Sequence, residues 1–394
     1  MKKLITIILS VAGVLSLGAK PARESMEDIT ARVFALAEVQ YAAMDAALPE
    51  GMFPKSMAKD ALVTEEPTAW TAGFYPGSLW YIYLYGKDLR MRTLAEKYTA
   101  AMEPAKQKHL SHDLGFQFNC SYGNALRITG DPKWEPVLLE AARLLAARFN
   151  PAAGVTRSWN FSPKGKTWEF PVIIDNMMNL ELLMEAARLT GSDSLRTMAV
   201  THAKTTIRNH FRPDGTSYHV VDYDPRTGEV RWRGTHQGYA DGSAWARGQG
   251  WALYGFTMMY EKTGEKAFLA QAETVARMLL GRLPSDGIPY WDFDAPEIPD
   301  EHRDASAAAV MCSAFIRLAG MTSDGVLSRQ CRAMAEKQIR TLASPLYLSV
   351  AGENAGFLLS HSVGNLPKKS QVDVPLPYAD YYFLEALLRW NKIL

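Results

Sequence analysis

Cysteine is scarce, net charge is almost nil, and the sequence signatures of metalloprotease, serine-hydrolase and nucleotide chemistry are missing. Three cysteines, Cys120, Cys312 and Cys331, spread over 394 residues are too few for a disulfide framework or a thiolate cluster, and are expected as small buried side chains. The 43 basic and 42 acidic side chains leave a net charge of +1. No global basic field therefore speaks for nucleic acid, and an anionic ligand must meet a local cluster. HExxH, GxSxG and a Walker loop are all absent, and RGQG at 247–250 is too short for a dinucleotide fingerprint. The eight histidines are scattered, and HLSH at 109–112 reads as a solvated segment, so no metal and no cofactor are expected. Strand-type alternation is rare.

What is present begins with MKKLITIILSVAGVLSLGA. Two lysines, an apolar run of about a dozen residues and a tail of small residues are the three regions of a secretory signal. The run is short for a bilayer span, and no cysteine follows it to carry a lipid. Residues 1–19 are expected to be removed, leaving 20–394 as a single exported domain with no membrane partner and the periplasm as its compartment. Its 47% hydrophobic and 22% charged content is an ordinary globular balance.

Helical periodicity dominates that domain. In SMEDITARVFALAEVQYAAM the apolar positions Ile29, Val33, Phe34, Leu36, Val39 and Tyr41 make a broad stripe, and Ser25 with Asp28 forms a capping box. Five glycines, Gly86, Gly130, Gly191, Gly264 and Gly320, each stand where one helical pattern ends and a polar residue starts the next. That is how a helix C-cap and a tight helical hairpin are written. With a further pair at the termini, the pattern gives six hairpins and about a dozen helices, spaced by roughly 45 to 75 residues. Such an array buries itself best as a ring of apolar inner helices and amphipathic outer ones, so the expected fold is all-α, a six-hairpin α/α barrel or toroid. An open solenoid is the competing form.

Tight turns at one end put the long connections at the other: 103–118, 150–175, 210–245, 283–303 and 343–377. These segments are rich in Trp, Tyr, Asp and His, and loops gathered on one rim of a rigid scaffold are the usual place for a cleft. Two acids stand there. Asp113 in HDLGF and Asp175 in VIIDN each read either as a helix N-cap or as a catalytic carboxyl. Two carboxyls facing one cleft are the pair that sugar hydrolysis uses, and Asn179 lies one turn beyond Asp175 on the same face. Trp70, Trp159, Trp168, Trp232, Trp245, Trp251 and Trp291 lie near the rim, about half of them expected to pack and the rest to stack on sugar. His219, Gln237 and Arg247 supply donors for hydroxyl and carboxylate groups, with a structural ion pair as the other reading of Arg247.

The motifs AWTAGFYPGSLW, HDLGF, VIIDNMMNLELL, THQGYADGSAWARGQGWALYGF and YADYYFLEALLR, spread over about residues 69–389, resemble in order and spacing the unsaturated glucuronyl hydrolases of glycoside hydrolase family 88. The resemblance implies a six-hairpin α/α barrel and removal of a 4,5-unsaturated uronic acid from oligosaccharides that polysaccharide lyases leave behind. It implies Asp175 as the acid/base and Asp113 as the second acid. His219, Gln237, Trp245, Arg247 and Trp70 fall at positions resembling the family's substrate contacts. By the same resemblance, Lys368, Lys369 and Ser370 are candidates for recognising sulfate on glycosaminoglycan fragments. Two rivals share parts of the pattern: an unsaturated rhamnogalacturonyl hydrolase acting on pectin fragments, against which HQGYADGSAWARGQ argues, and a non-catalytic carbohydrate-binding envelope protein, which would keep the tryptophans without needing both acids. A sugar epimerase would call for a histidine pair.

Overall fold

The computed structural model describes residues 23–107 and 111–394. The expected signal segment and His109 lie outside the described residues. Helices α1 (Met26–Ala47), α2 (Phe74–Gly86), α3 (Leu89–Ala101), α4 (Asn124–Thr129), α5 (Glu135–Ala146) and α6 (Asn176–Thr190) form one half of the fold. Helices α7 (Asp193–His210), α8 (Ala246–Thr263), α9 (Lys266–Arg282), α10 (Ala305–Met321), α11 (Gly325–Leu342) and α12 (Pro377–Trp390) form the other. A π-helix, Gly115–Gly123, runs directly into α4 and makes one rod with it.

Burial alternates along the chain. In α8 every residue from Ala246 to Met259 is buried, and in α12 every residue from Pro377 to Leu388. Helix α11 buries only the stripe Leu327, Cys331, Ala335, Gln338, Ile339 and Leu342, the pattern of a helix with one face in solvent. Each inner rod (α2, π-helix with α4, α6, α8, α10, α12) packs on the next, and α12 returns to α2, which closes the ring. Closure rather than an open solenoid is the outcome. Helix α1 joins the ring from outside through Asn391 to Thr30 and Tyr41 to Asp380.

The glycine turns hold at three of five positions. Gly130, Gly191 and Gly264 are left-handed C-caps with φ of 66°, 70° and 72°, a conformation that costs glycine nothing. At the first turn Lys87 takes the left-handed position instead (φ 58°). Gly86 is the last helical residue there, and a Cβ on it would stand 2.3 Å from Glu38 Oε1 of α1. Gly320 lies inside α10, which stops at an extended Thr322. The Ser25 cap of α1 forms, its Oγ accepting from Asp28 N–H at 3.0 Å. Val39 is exposed, because α1 is an outer helix and that residue falls opposite its buried stripe.

The long connections, and the stretch between α1 and α2, carry short antiparallel sheets, which the sequence pattern did not announce. Strands β1 (Phe53–Ala58) and β2 (Ala61–Glu65) pair, as do β3 (Phe149–Asn150) and β4 (Val155–Thr156). A three-stranded sheet sets β5 (Phe170–Ile173), β6 (Val220–Tyr223) and β7 (Val230–Gly234) in that order, and β8 (Ser362–Asn365) pairs with β9 (Ser370–Val374). The first long connection ends earlier than expected, since the π-helix already starts at Gly115. Cys120, Cys312 and Cys331 are free and buried.

Four aromatic rings from different rods seal the axis under the rim. Phe74 (α2) lies 5.5 Å from Phe116 (π-helix), Phe116 5.2 Å from Trp251 (α8), Trp251 5.5 Å from Tyr382 (α12), and Tyr382 5.9 Å from Phe74. These distances suit edge-to-face and tilted packing. The cycle gives the rim an apolar floor, and truncating Phe116 to alanine would cost about 3–5 kcal/mol.

Candidate active site

Above that floor lies a cleft of about 110 Å³ lined by Trp70, Asp113, Trp159, Ile173, Asp175, Gln237 and Arg247. Five of these are residues singled out from sequence as site candidates. The N-termini of α6, α8 and α12 start here, and none has a side-chain capping bond. Backbone carbonyls rather than side chains take several of their first N–H groups, among them Met177 to Ile174 and Ala246 to Trp291, and the dipoles turn the positive end of each helix toward the rim, which suits an anionic sugar.

Asp175 follows the buried strand β5 and occupies the N-cap position of α6, but with helical angles (φ −55°, ψ −24°) and no capping hydrogen bond. Its side chain is therefore free of the cap's task. The residue is 8% exposed, and Oδ2 has no hydrogen-bond partner. Burial pushes the carboxyl up to about 7, with Arg247 opposing the shift and the negative charge of Asp113 adding to it.

Asp113 is not a side-chain cap either. Its Oδ2 accepts from Ser111 Oγ at 2.6 Å, while its backbone carbonyl takes the N–H of Gln117. Beside Oδ1, at 3.4 Å, stands Nε2 of the wholly buried His112. Asn179 fixes that ring: its Nδ2 lies 3.3 Å from His112 Nδ1, and its Oδ1 accepts from Phe116 N–H at 3.0 Å. An amide nitrogen can only donate, so His112 Nδ1 accepts and its proton sits on Nε2, facing Asp113. The close approach of π-helix and α6 that allows this needs Gly115, where a Cβ would meet the Asn179 backbone at 2.5 Å.

The second acid has a matching partner. His219 Nδ1 accepts from the backbone N–H groups of His236 and Gln237 at 3.1 and 3.2 Å, which leaves its proton on Nε2, 3.7 Å from Asp175 Oδ2. Burial holds His219 well below the usual histidine range and also lowers His112, so both rings are neutral at pH 7. Each carboxyl thus faces one imidazole N–H without an ion pair.

Arg247 lies in the first turn of α8 between the rings of Trp245 (4.5 Å) and Tyr378 (5.3 Å). It donates through Nη1 to Asp304 at 2.9 Å and to Val363 O, and through Nη2 to Gly364 O at 2.8 Å. The structural ion pair read from sequence is real, and the residue lines the cleft as well. Gln237 Nε2 donates to Gly364 O at 3.1 Å. Trp245 is buried 4.5 Å from His219 and supports rather than lines the cleft. Trp70 stands on the aromatic floor, 5.5 Å from Phe116 and 5.2 Å from Tyr378.

Other expected residues sit apart. Lys368, Lys369 and Ser370 are exposed at the β8–β9 turn and do not line the cleft, although the root of that hairpin is the segment that Arg247 and Gln237 hold. Trp251 belongs to the floor, Trp291 bonds to Glu301 at 2.9 Å, and Trp168 and Trp232 continue a stack that starts at Trp159. Sequence reading missed His112, Asp304 and Tyr378 as site residues. The only local signal for any of them was the placement of His112 beside Asp113. Among the described residues no group of three His, Cys, Asp or Glu side chains converges as a metal site, and no helix is long and apolar enough to cross a membrane.

The family model for Glycosyl Hydrolase Family 88 matches residues 50–389. An unsaturated glucuronyl hydrolase of Formosa agariphila is 43% identical over 347 residues, covering 87% of this chain and 85% of the relative. The crystal structure of an unsaturated glucuronyl hydrolase specific for heparin superposes with a TM-score of 0.89 at 43% identity, covering 93% of this chain and 98% of that one. A variant of the Streptococcus agalactiae unsaturated glucuronyl hydrolase, in complex with dGlcA-GalNAc6S, superposes at 0.78 and 27% identity over 93% and 92% of the two chains.

Proposed function

We propose that this chain, a glycosidase that belongs to Glycosyl Hydrolase Family 88, removes the 4,5-unsaturated uronic acid from the non-reducing end of lyase-generated oligosaccharides, glycosaminoglycan fragments among them. The observation that carries the reading is Asp175: an uncapped carboxyl with a free oxygen, held up to about 7 in a cleft shared with a second acid and an arginine.

An acid that must give its proton to carbon has to be neutral at working pH, and burial beside Asp113 keeps Asp175 so. Asp175 delivers its proton to C4 of the C4=C5 double bond, and the ring oxygen shares the positive charge that develops at C5. The resulting carboxylate takes a proton from water, whose hydroxyl adds to C5. The hemiketal opens by breaking the bond from C5 to the ring oxygen, and the hemiacetal left at C1 expels the remaining sugar as its alcohol. Atoms and charge balance with one water consumed.

The other residues follow from their donors. Three of the five N–H groups of Arg247 are engaged, leaving Nε–H and one Nη2–H, an adjacent pair suited to a bidentate carboxylate such as C6 of the uronate. His219 Nε2–H stands ready for the Asp175 carboxylate once its proton has left. Asp113, fixed by Ser111, holds Asp175 in its acid form. Trp70 and Trp159 offer apolar faces to the sugar ring, and Gln237 and Trp245 hold Gly364 and His219 in register. Lys368, Lys369 and Ser370, at the tip of the adjacent hairpin, suit a sulfate on the neighbouring sugar. The apolar leader supports export to the periplasm, which cell fractionation would check. Incubation of the purified chain with sulfated and unsulfated unsaturated disaccharides tests the reaction. Loss of the double bond's ultraviolet absorbance is the expected result; no loss on any of them would overturn it.

A further inference from the structure

Asp304 is an acid for which the reaction just described has no use, and it rests on that reading to say what it does. It caps α10 and is wholly buried. Its two oxygens have separate tasks. Oδ1 accepts from Ser306 N–H and Oγ–H at 3.0 and 2.6 Å, and from the N–H groups of Ala307 and Val363 at 3.3 and 3.4 Å. Oδ2 accepts from Arg247 at 2.9 Å. A helix cap needs one oxygen, and serine or asparagine serves as well as aspartate. The second oxygen and the full charge go to Arg247, across side chains that are 1% and 0% exposed. Asp304 also holds Val363 by its N–H while Arg247 holds the same residue by its carbonyl, so cap, arginine and β8 form one unit.

We propose that Asp304 is a positioning residue of the active site: it fixes the plane of Arg247 so that the free guanidinium edge meets the substrate carboxylate, and it offsets the arginine's charge before that charge reaches Asp175. Without Asp304 the guanidinium keeps only two carbonyl acceptors and can pivot about them. Its charge also acts unopposed on Asp175. The groups facing Asp175 are Asp113 ahead of the π-helix, neutral His219 from the start of β6, Arg247 and the Trp251 indole from α8, and Tyr378 from α12. Among them Arg247 is the cation that favours ionised Asp175 and Asp113 the anion that opposes it. Removing a negative charge from the far side of Arg247 therefore moves Asp175 toward ionisation, and activity that needs its proton is lost at lower pH.

The test uses the full chain with Asp304→Asn and Asp304→Ser, each keeping an oxygen for the cap, and follows kcat and KM on an unsaturated disaccharide across pH. KM is expected to rise about tenfold or more as the carboxylate fork is misaligned, with the alkaline limb of kcat/KM displaced to lower pH. In an Arg247→Met background, Asp304→Asn should add nothing further to KM. Folded variants with wild-type KM and limb, a fall in kcat alone, or failure of both variants to fold would each overturn the proposal and leave Asp304 as a cap. A wild-type chain that consumes no unsaturated fragment would instead sink the reaction reading itself, and this proposal with it.

Discussion

Two buried carboxyls of the barrel stand in opposite chemical states. Asp175 lies at the rim with one oxygen unpartnered and is pushed up to about 7. Glu385, about two turns below the start of α12, accepts from Tyr254 (2.9 Å), Tyr81 (3.1 Å), Arg389 (2.9 Å) and Ser313, and despite burial it is pulled down to about 2, chiefly by Arg389. Burial alone disfavours charge in both. The difference is the company: Glu385 has a guanidinium and hydroxyl donors hydrogen-bonded to it, whereas Asp175 has an imidazole N–H at 3.7 Å and feels Arg247, whose bonds go to Asp304, Val363 and Gly364, only through its charge. One end of the ring has spent its carboxylate on cohesion, and the other keeps a proton available for chemistry.

The largest break in this contrast is Asp175→Asn, which should fold yet lose at least about a hundredfold in kcat, the scale of a missing general acid; steady-state assays with circular dichroism would check both halves. Glu385→Ala leaves the half-buried Arg389 without its carboxylate, so stability should fall by up to about 3 kcal/mol, the lower end for a broken buried pair, read by urea unfolding, while kcat of the folded fraction is unchanged.

Dependence on pH sharpens the contrast through its sign. The stabilisation from Glu385 is present above the ordinary glutamate range and is lost as pH falls toward about 2. Asp175 has the opposite sign: its raised value weakens the fold as pH climbs from the ordinary aspartate range toward about 7, whereas the activity limb, set by the folded value alone, falls as pH passes through about 7. Asp113→Asn removes the anion that raises Asp175, so the alkaline limb of kcat/KM should move to lower pH, with a smaller loss of kcat than Asp175→Asn gives. The smallest effect belongs to the hairpin tip. Replacing Lys368 and Lys369 together by alanine should raise KM by a few-fold for a sulfated disaccharide, as exposed charge contacts are worth about 1 kcal/mol, and leave an unsulfated one unaltered.

What could be read in the sequence was local. The left-handed turns at Gly130, Gly191 and Gly264, the Ser25 cap and the long rim connections depend on neighbours within a few residues, and they appear as expected. The position of both acids at the rim followed from that layout. Whether they cap helices did not, because the helical angles of Asp175 and the Ser111 bond to Asp113 are set by packing. The contacts of Asp304 and Tyr378 with Arg247 join residues far apart in sequence, and the two imidazole tautomers depend on Asn179 and on the backbone at 236–237. Among the missed strands, β3 and β4 are two residues each, too short to show alternation, and β5 and β6 are buried at every residue and so carry none. Val39 shows the converse error, an apolar residue counted as buried on type when its face of α1 meets solvent.

On the proposed reading, Asp175 gives its proton to carbon rather than to the glycosidic oxygen. Turnover of an unsaturated disaccharide in D2O, followed by proton NMR, tests it directly. Deuterium is expected at C4, with the double bond consumed as the partner sugar is released, and neither event with Asp175→Asn. Release of the sugar with an intact double bond and no deuterium at C4 would contradict it.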